Sequence, residues 1–120
     1  MSRVPPRPAP RALIARTPTG DEVTIELAPR DVVVAVKAHC DGCSSFLNGD
    51  LSVLSSRRVI MVARELLDED TVHGYLVCPE GLDALDVRWA PHYVVLDGDP
   101  LCVVGEGPVF SPAQVASELD

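Results

Sequence analysis

The chain of 120 residues, 47% of them hydrophobic, is long enough for one domain whose core needs no disulfide bonds. Its formal net charge of −8 disfavours nucleic acid and anionic membranes as partners, because both bind clustered lysine and arginine. No apolar run approaches the roughly 20 residues that a membrane-spanning helix needs. Because no secretory signal is recognisable near the N-terminus either, the sequence predicts a cytoplasmic protein.

The N-terminal segment, residues 1–11, interleaves prolines with Arg3, Arg7 and Arg11. Such a composition predicts a flexible, solvated tail ahead of a domain that covers residues 12–120. A basic arm that contacts an acidic partner is the alternative for this segment.

A β-hairpin is expected next, from strands at 12–16 and 23–27 that flank a Pro-Thr-Gly-Asp turn. The run of mostly valine at 32–37 shows no alternation, which predicts a strand buried on both faces and hence an interior parallel strand. After Cys43, leucines recur at helical spacing as far as Leu54 and predict a helix.

The second half of the chain alternates apolar runs with turn residues. A strand that follows the predicted helix completes a parallel crossover unit, and the acidic stretch at 65–70 is expected to be solvated surface. The elements predicted here are strands at 58–64, 74–78, 92–97 and 101–104, helical turns at 80–87, and a C-terminal helix that begins at Ser111.

The sequence Cys40-Asp41-Gly42-Cys43 lies between the valine-rich strand and the first predicted helix. Two thiols three positions apart at a helix start are typical of a dithiol redox centre, because the exposed backbone N–H groups there favour a thiolate. The first thiol can attack a disulfide, and the second can then resolve the mixed disulfide.

The order of these elements resembles the thioredoxin fold, and within it the TlpA-type and MauD-type disulfide oxidoreductases. Three segments carry the resemblance, which extends over residues 12–119: the hairpin at 17–27, the cysteine motif, and residues 89–99 (Trp-Ala-Pro-His-Tyr-Val-Val-Leu-Asp-Gly-Asp). The resemblance implies an α/β thioredoxin-like fold, with a central mixed sheet of four to five strands flanked by helices and an N-terminal β-hairpin.

The same resemblance implies a substrate site around Pro91, whose preceding peptide bond is cis in that family and lies beside the two thiols. Backbone groups of Ala90 and His92 would then be free to pair with an extended substrate chain. Trp89 is a candidate for the wall of this groove or for a core anchor. An imidazolium at His39 is expected to stabilise the Cys40 thiolate, unless this residue is simply a surface histidine.

The leading prediction is therefore a thiol–disulfide oxidoreductase that uses Cys40 and Cys43. Its partners are a protein substrate with a disulfide or dithiol and an electron donor, either a reductase or a small thiol. No bound organic cofactor is expected.

Two other functions stay open. A non-catalytic adaptor that binds a protein in the Pro91 groove is favoured by Val34, which stands where thioredoxins carry a buried acid, and by the negative charge of Asp41 beside Cys40. A metallochaperone would bind a soft metal ion, with the ligands His39, Cys40, Cys43 and His92.

The remaining cysteine signals have plain structural interpretations. Asp-Gly between the two motif cysteines is also a hairpin-turn signal. Cys78 and Cys102 are expected to be small hydrophobic side chains, with a disulfide between them as the alternative.

Overall fold

The computed structural model describes residues 2–119, and the side chains of residues 4–119. Its strands are β1 (Ser2–Pro8), β2 (Ala12–Arg16), β3 (Glu22–Glu26), β4 (Val32–Val36), β5 (Val59–Ala63), β6 (Leu76–Val77), β7 (His92–Asp97) and β8 (Cys102–Pro108). The helices are α1 (Asp41–Leu47), α2 (Pro79–Ala84) and α3 (Pro112–Leu119), with a 3₁₀ turn at Ser52–Leu54.

All eight strands form one mixed sheet in the order β1-β8-β7-β4-β5-β6-β2-β3. The central strand β4 is parallel to β5 and antiparallel to β7. Every residue of β4 is buried, which confirms the interior strand predicted from the unbroken valine run. The predicted hairpin is also present, as the antiparallel pair β2 and β3.

The expectation of a thioredoxin-like α/β fold with a four- to five-stranded sheet flanked by helices is wrong. The structure is mostly strands, and its three helices have six to eight residues each. One reason is that the hairpin does not stand apart: Arg16 of β2 pairs with Val77 of β6 and extends the same sheet. The other is that α1 ends at Leu47, two residues before Gly49, instead of continuing to Leu54.

The N-terminal segment that the sequence predicts as a solvated tail is an edge strand in the structure. β1 pairs with β8 at the edge of the sheet, where prolines are tolerated, and the pairing is irregular between Arg3 and Arg7. Arg7 fixes the strand, since its guanidinium donates to Glu106 at 2.6 Å and to the Leu85 carbonyl oxygen at 2.9 Å. The composition of this segment favours disorder, but its contacts with β8, Glu106 and Leu85 order it in the structure.

Two apolar cores cover the two faces of the sheet. α1 and α3 cover the first face, and α2 lies on the second. The first core includes Val34, Val36, Cys43, Phe46, Leu47, Met61, Tyr93 and Val115. The second includes Leu13, Val33, Ala35, Val62, Cys78, Leu82, Leu85 and Val94. Because successive residues of β4 point to opposite faces, this one strand contributes to both cores.

Among residues 2–119, no helix has both the length and the apolar character needed to cross a membrane.

Asp31, which immediately precedes β4, is 4% exposed and carries a charge. Its carboxylate accepts hydrogen bonds from the Ala28 N–H at 2.8 Å and from the Arg58 guanidinium at 2.5 Å. Arg58 also donates to the Glu26 carbonyl oxygen at the end of β3. These contacts join the hairpin to the start of the central strand.

We expect Asp31→Ala to lower the free energy of unfolding by about 2 kcal/mol, because the Ala28 N–H loses its acceptor and Arg58 loses a buried ion-pair partner. Arg58 is half exposed and regains water, which keeps the loss below that of a fully buried pair. Urea unfolding followed by circular dichroism measures the difference. Asp83→Ala, which removes an exposed ion pair with Arg64, is the control and should cost less than about 1 kcal/mol. Equal losses in the two variants would contradict this role of Asp31.

Candidate functional site

Cys40 and Cys43 lie at the start of α1, just beyond the carboxyl end of β4. Cys40 is the N-cap residue, with extended backbone angles, and its Sγ accepts the Cys43 N–H at 3.3 Å. Cys40 is partly exposed, whereas Cys43 is fully buried in the first core beside Phe46. The two sulfurs therefore differ in access: solvent and a substrate reach Cys40 first.

The surroundings of Cys43 keep it in the thiol form. Burial raises the pKa of Cys43 well above its ordinary value, and the hydrogen bond with Cys40 raises it further. The backbone N–H of Lys37, which donates to the Cys43 Sγ at 3.3 Å, acts in the opposite direction but does not outweigh burial. Cys43 can thus act as a nucleophile only after it gives its proton to another group.

Pro91 packs against the turn between the two cysteines. The Ala90–Pro91 peptide bond is cis, as the resemblance implies. A Cβ added to Gly42 would lie 3.4 Å from the Pro91 Cγ and 2.5 Å from the Val109 carbonyl oxygen. The absence of a side chain at Gly42 therefore permits the start of α1 to approach Pro91 and the segment after β8 closely.

His39 directly precedes Cys40 and has a left-handed backbone conformation, with φ of 56°. Its imidazole is 73% exposed and lies 3.1 Å from the carboxylate of Asp68. The hydrogen bond and charge of Asp68 raise the pKa of His39, which favours the imidazolium. In the acidic segment predicted as solvated surface, Asp68 is exposed and pairs with the histidine next to Cys40, whereas Leu67 is buried in the first core.

His92 and Trp89 lie on the α2 face of the sheet. The His92 Nε2 is 2.9 Å from Glu106, which in turn binds Arg7, and the Trp89 ring meets the His92 ring edge-on with centroids 6.3 Å apart. Trp89 is 69% exposed, so it is not the core anchor that was the alternative for this residue. Arg7 also bonds Leu85 at the end of α2, which places the whole network on this face.

Sequence reasoning missed Arg7 and Glu106 as parts of this region. Arg7 belonged to a presumed tail, and Glu106 stands near the end of a strand whose neighbours gave no signal of a charged network. Alternation along β8 shows that Val103 faces a core, but it does not show which residue of a distant segment meets Glu106.

The structure does not bring the candidate metal ligands His39, Cys40, Cys43 and His92 into one cluster. Within the side chains that it describes, no cluster of three or more His, Cys, Asp or Glu residues could hold a metal ion. The imidazoles of His39 and His92 are engaged by Asp68 and Glu106 instead.

Neither of the other two cysteines forms a disulfide. Cys78 is buried in the second core and donates to the Ile14 carbonyl oxygen at 3.2 Å, which fits a small apolar side chain with one weak hydrogen bond. Cys102 is a partly exposed thiol at the start of β8.

Comparison with protein-family models and with curated proteins finds no match for this sequence.

The close approach at Gly42 yields a prediction that opposes helix propensity. Alanine normally stabilises a helix relative to glycine, but we expect Gly42→Ala to lower the free energy of unfolding by about 1–3 kcal/mol because its Cβ would meet the Val109 carbonyl oxygen. Gly74→Ala is the matched control, since an added Cβ there has no heavy atom within 4 Å. Thermal unfolding of both variants tests this, and a stabilised Gly42→Ala protein would show that the start of α1 does not approach the Val109 carbonyl oxygen closely.

Proposed function

We propose that the protein exchanges a dithiol for a disulfide with a protein substrate through Cys40 and Cys43. One observation carries the proposal: a partly exposed cysteine caps α1, and a fully buried cysteine lies one turn later within hydrogen-bonding reach of it. Such a pair assigns the attacking role to Cys40 and the resolving role to Cys43. A cytoplasmic location, which the sequence predicts, would keep both cysteines reduced between reactions.

The exchange has two steps. The Cys40 thiolate attacks one sulfur of the substrate disulfide and forms a mixed disulfide, while the other substrate sulfur leaves as a thiolate. Cys43 then loses its proton, attacks the Cys40 sulfur and releases the second substrate thiol. The substrate disulfide has gained two electrons and two protons, and the protein holds a Cys40–Cys43 disulfide that a reductase or small thiol reduces again. The reverse sequence would oxidise a substrate dithiol.

The raised pKa of Cys43 suits the second step. A protonated Cys43 does not compete with Cys40 for the first attack. The leaving substrate thiolate is a base that can take the Cys43 proton once the mixed disulfide has formed. The order of the two attacks then follows from burial.

Pro91, Ala90 and Trp89 are the proposed substrate-binding residues. The Pro91 ring borders the turn that carries Cys40, and Ala90 and Trp89 continue away from it along the loop that precedes β7. His92 has a supporting role in the proposal, since its ring contacts Trp89. Asp68 raises the pKa of His39, which favours a positive charge next to Cys40.

A second candidate function is partner binding without redox turnover. It is favoured by Val34, an apolar side chain that is fully buried in the core around Cys43, at the position where thioredoxins carry a buried acid. The exposed Asp41 next to Cys40 also opposes formation of a thiolate.

The cysteine roles can be tested by trapping. Mixed with insulin, Cys43→Ser should accumulate a covalent insulin adduct through Cys40, because no second thiol resolves the mixed disulfide. Cys40→Ser should form no adduct and no reduced insulin. Mass spectrometry under non-reducing conditions measures both products.

Cys102→Ser is the matched control for the trapping experiment, because Cys102 is a partly exposed thiol outside the proposed site. It should reduce insulin like the unaltered protein. Insulin reduction that persists in Cys40→Ser would refute the proposal, and a reversible Cys40–Cys43 couple without insulin turnover would favour the partner-binding function.

The alkylation rate of Cys43 should show its raised pKa directly. In the Cys40→Ser variant we expect iodoacetamide to modify Cys43 far more slowly than Cys102 at about pH 8, with the Cys43 rate still rising above about pH 10. The reason is that a buried thiol forms thiolate only at high pH. Peptide mapping measures both rates, and a Cys43 rate that levels off below about pH 9 would contradict this assignment.

A further inference from the structure

A cavity of about 180 Å³ opens at the carboxyl ends of β4 and β5, on the side of α2. Its walls come from the two strand ends, from Leu82 and Val87, and from Trp89 and Ala90 in the loop before β7. Most of the lining is apolar. Cys40 does not line this cavity, so the cavity is distinct from the pair of thiols.

Small side chains keep the cavity open. Ala35, Ala38, Ala63 and Ala90 all line it, and none of them reaches across the space between the strand ends and α2. An apolar cavity of roughly 150 Å³ is known to stay dry and to accept a benzene-sized group. The volume therefore suits one leucine, methionine or phenylalanine side chain.

The cavity lies within a few residues of the reactive sulfur. Ala38 in its wall is two positions before Cys40, and Ala90 adjoins Pro91, which packs beside Gly42. An extended chain spans about 3.3–3.6 Å per residue, so two residues reach roughly 7 Å. A polypeptide that presents a disulfide to Cys40 can thus place a side chain two or three positions away in this cavity.

The charge at the cavity indicates what accompanies that side chain. Three cations, Lys37, Arg64 and Arg88, line the cavity with one carboxylate, Glu65. Arg64 and Arg88 are paired with Asp83 and Asp86, whereas no carboxylate among the described side chains forms a salt bridge with Lys37. In a chain of net charge −8 this cation is a local attraction for a carboxylate.

Trp89, which forms one wall of the cavity, is supported by residues on its other side. The His92 ring contacts it edge-on, Glu106 binds His92, and Arg7 binds Glu106 from β1. Because the hydrogen bonds hold the His92 ring, the side chain that Trp89 packs against is fixed before a ligand binds, which favours affinity.

We propose that this cavity is a specificity pocket that receives a large apolar side chain of the substrate polypeptide, with an acidic residue next to it pairing with Lys37. The inference rests on the proposed function, because it treats the disulfide-bearing polypeptide as the occupant. It adds a substrate class: a polypeptide with an apolar–acidic pair two or three residues from its reactive cysteine.

Binding can be measured without redox chemistry because Trp89 is the only tryptophan. Short blocked peptides with serine in place of cysteine would carry Leu-Glu, Gly-Glu or Leu-Lys two positions from the serine. We expect Leu-Glu to change the Trp89 fluorescence with an affinity about tenfold above that of Gly-Glu, because the pocket buries the leucine side chain. The Leu-Lys peptide should also bind more weakly than Leu-Glu.

Two variants and a control locate the binding. Ala38→Leu fills the cavity and should abolish the preference for leucine over glycine, while Lys37→Gln should abolish the preference for glutamate over lysine. Ala113→Leu makes the same change as Ala38→Leu on the exposed side of α3 and should keep both preferences. Equal affinities for all three peptides in the unaltered protein, or preferences that survive both variants, would overturn the proposal.

A kinetic experiment separates this inference from the proposed function. Pre-reduced protein is mixed with hydroxyethyl disulfide, which has no side chain for the pocket, and with disulfide versions of the Leu-Glu and Gly-Glu peptides. Reduction of hydroxyethyl disulfide with equal rates for the two peptides would overturn the pocket and leave the redox function. Peptide preference in the fluorescence experiment without reduction of any disulfide would leave the pocket and overturn the redox function.

Discussion

The burial of β4 is the constraint on which the rest of the structure depends. All five residues of Val32–Val36 are at most 3% exposed, between parallel β5 on one side and antiparallel β7 on the other. Their side chains fill two cores, so the strand can neither shift its register nor tilt without exposing apolar surface. The chain that leaves its carboxyl end is thereby fixed in position, and Cys40 lies only four residues beyond Val36.

The segment that follows β4 lies between two different features, the pair of cysteines on one face of the sheet and the apolar cavity on the other. On the face covered by α1, burial makes Cys43 a protonated thiol behind the more accessible Cys40. On the α2 face, alanines at the strand ends leave the apolar cavity beside Trp89. Pro91 lies between them, since its ring contacts the turn at Gly42 and its neighbour Ala90 lines the cavity. A substrate chain that crosses this edge would meet both.

The local sequence pattern predicted secondary structure correctly where an element depends only on residues that are neighbours in the chain. The valine run predicted a strand buried on both faces, and the Pro-Thr-Gly-Asp turn predicted the β2–β3 hairpin, because both depend only on neighbours in sequence. Local pattern was misleading for residues 2–8, whose prolines and arginines predict a solvated chain. In the structure the segment is ordered because it pairs with β8 and because Arg7 forms an ion pair with Glu106. Local pattern also overestimated the length of α1, because leucines continue at helical spacing beyond Leu47, where the helix ends.

The sequence by itself determined the strand before the cysteines and the three-residue spacing of the two thiols, since each is a property of a short segment. Only the tertiary structure decided that eight strands form one sheet, that Cys43 is buried while Cys40 is not, and that Arg7 and Glu106 support the Trp89 wall. Those outcomes depend on contacts between residues that are far apart in sequence. Burial, charge pairing and cavity shape all arise from such contacts, which a local sequence pattern does not reveal.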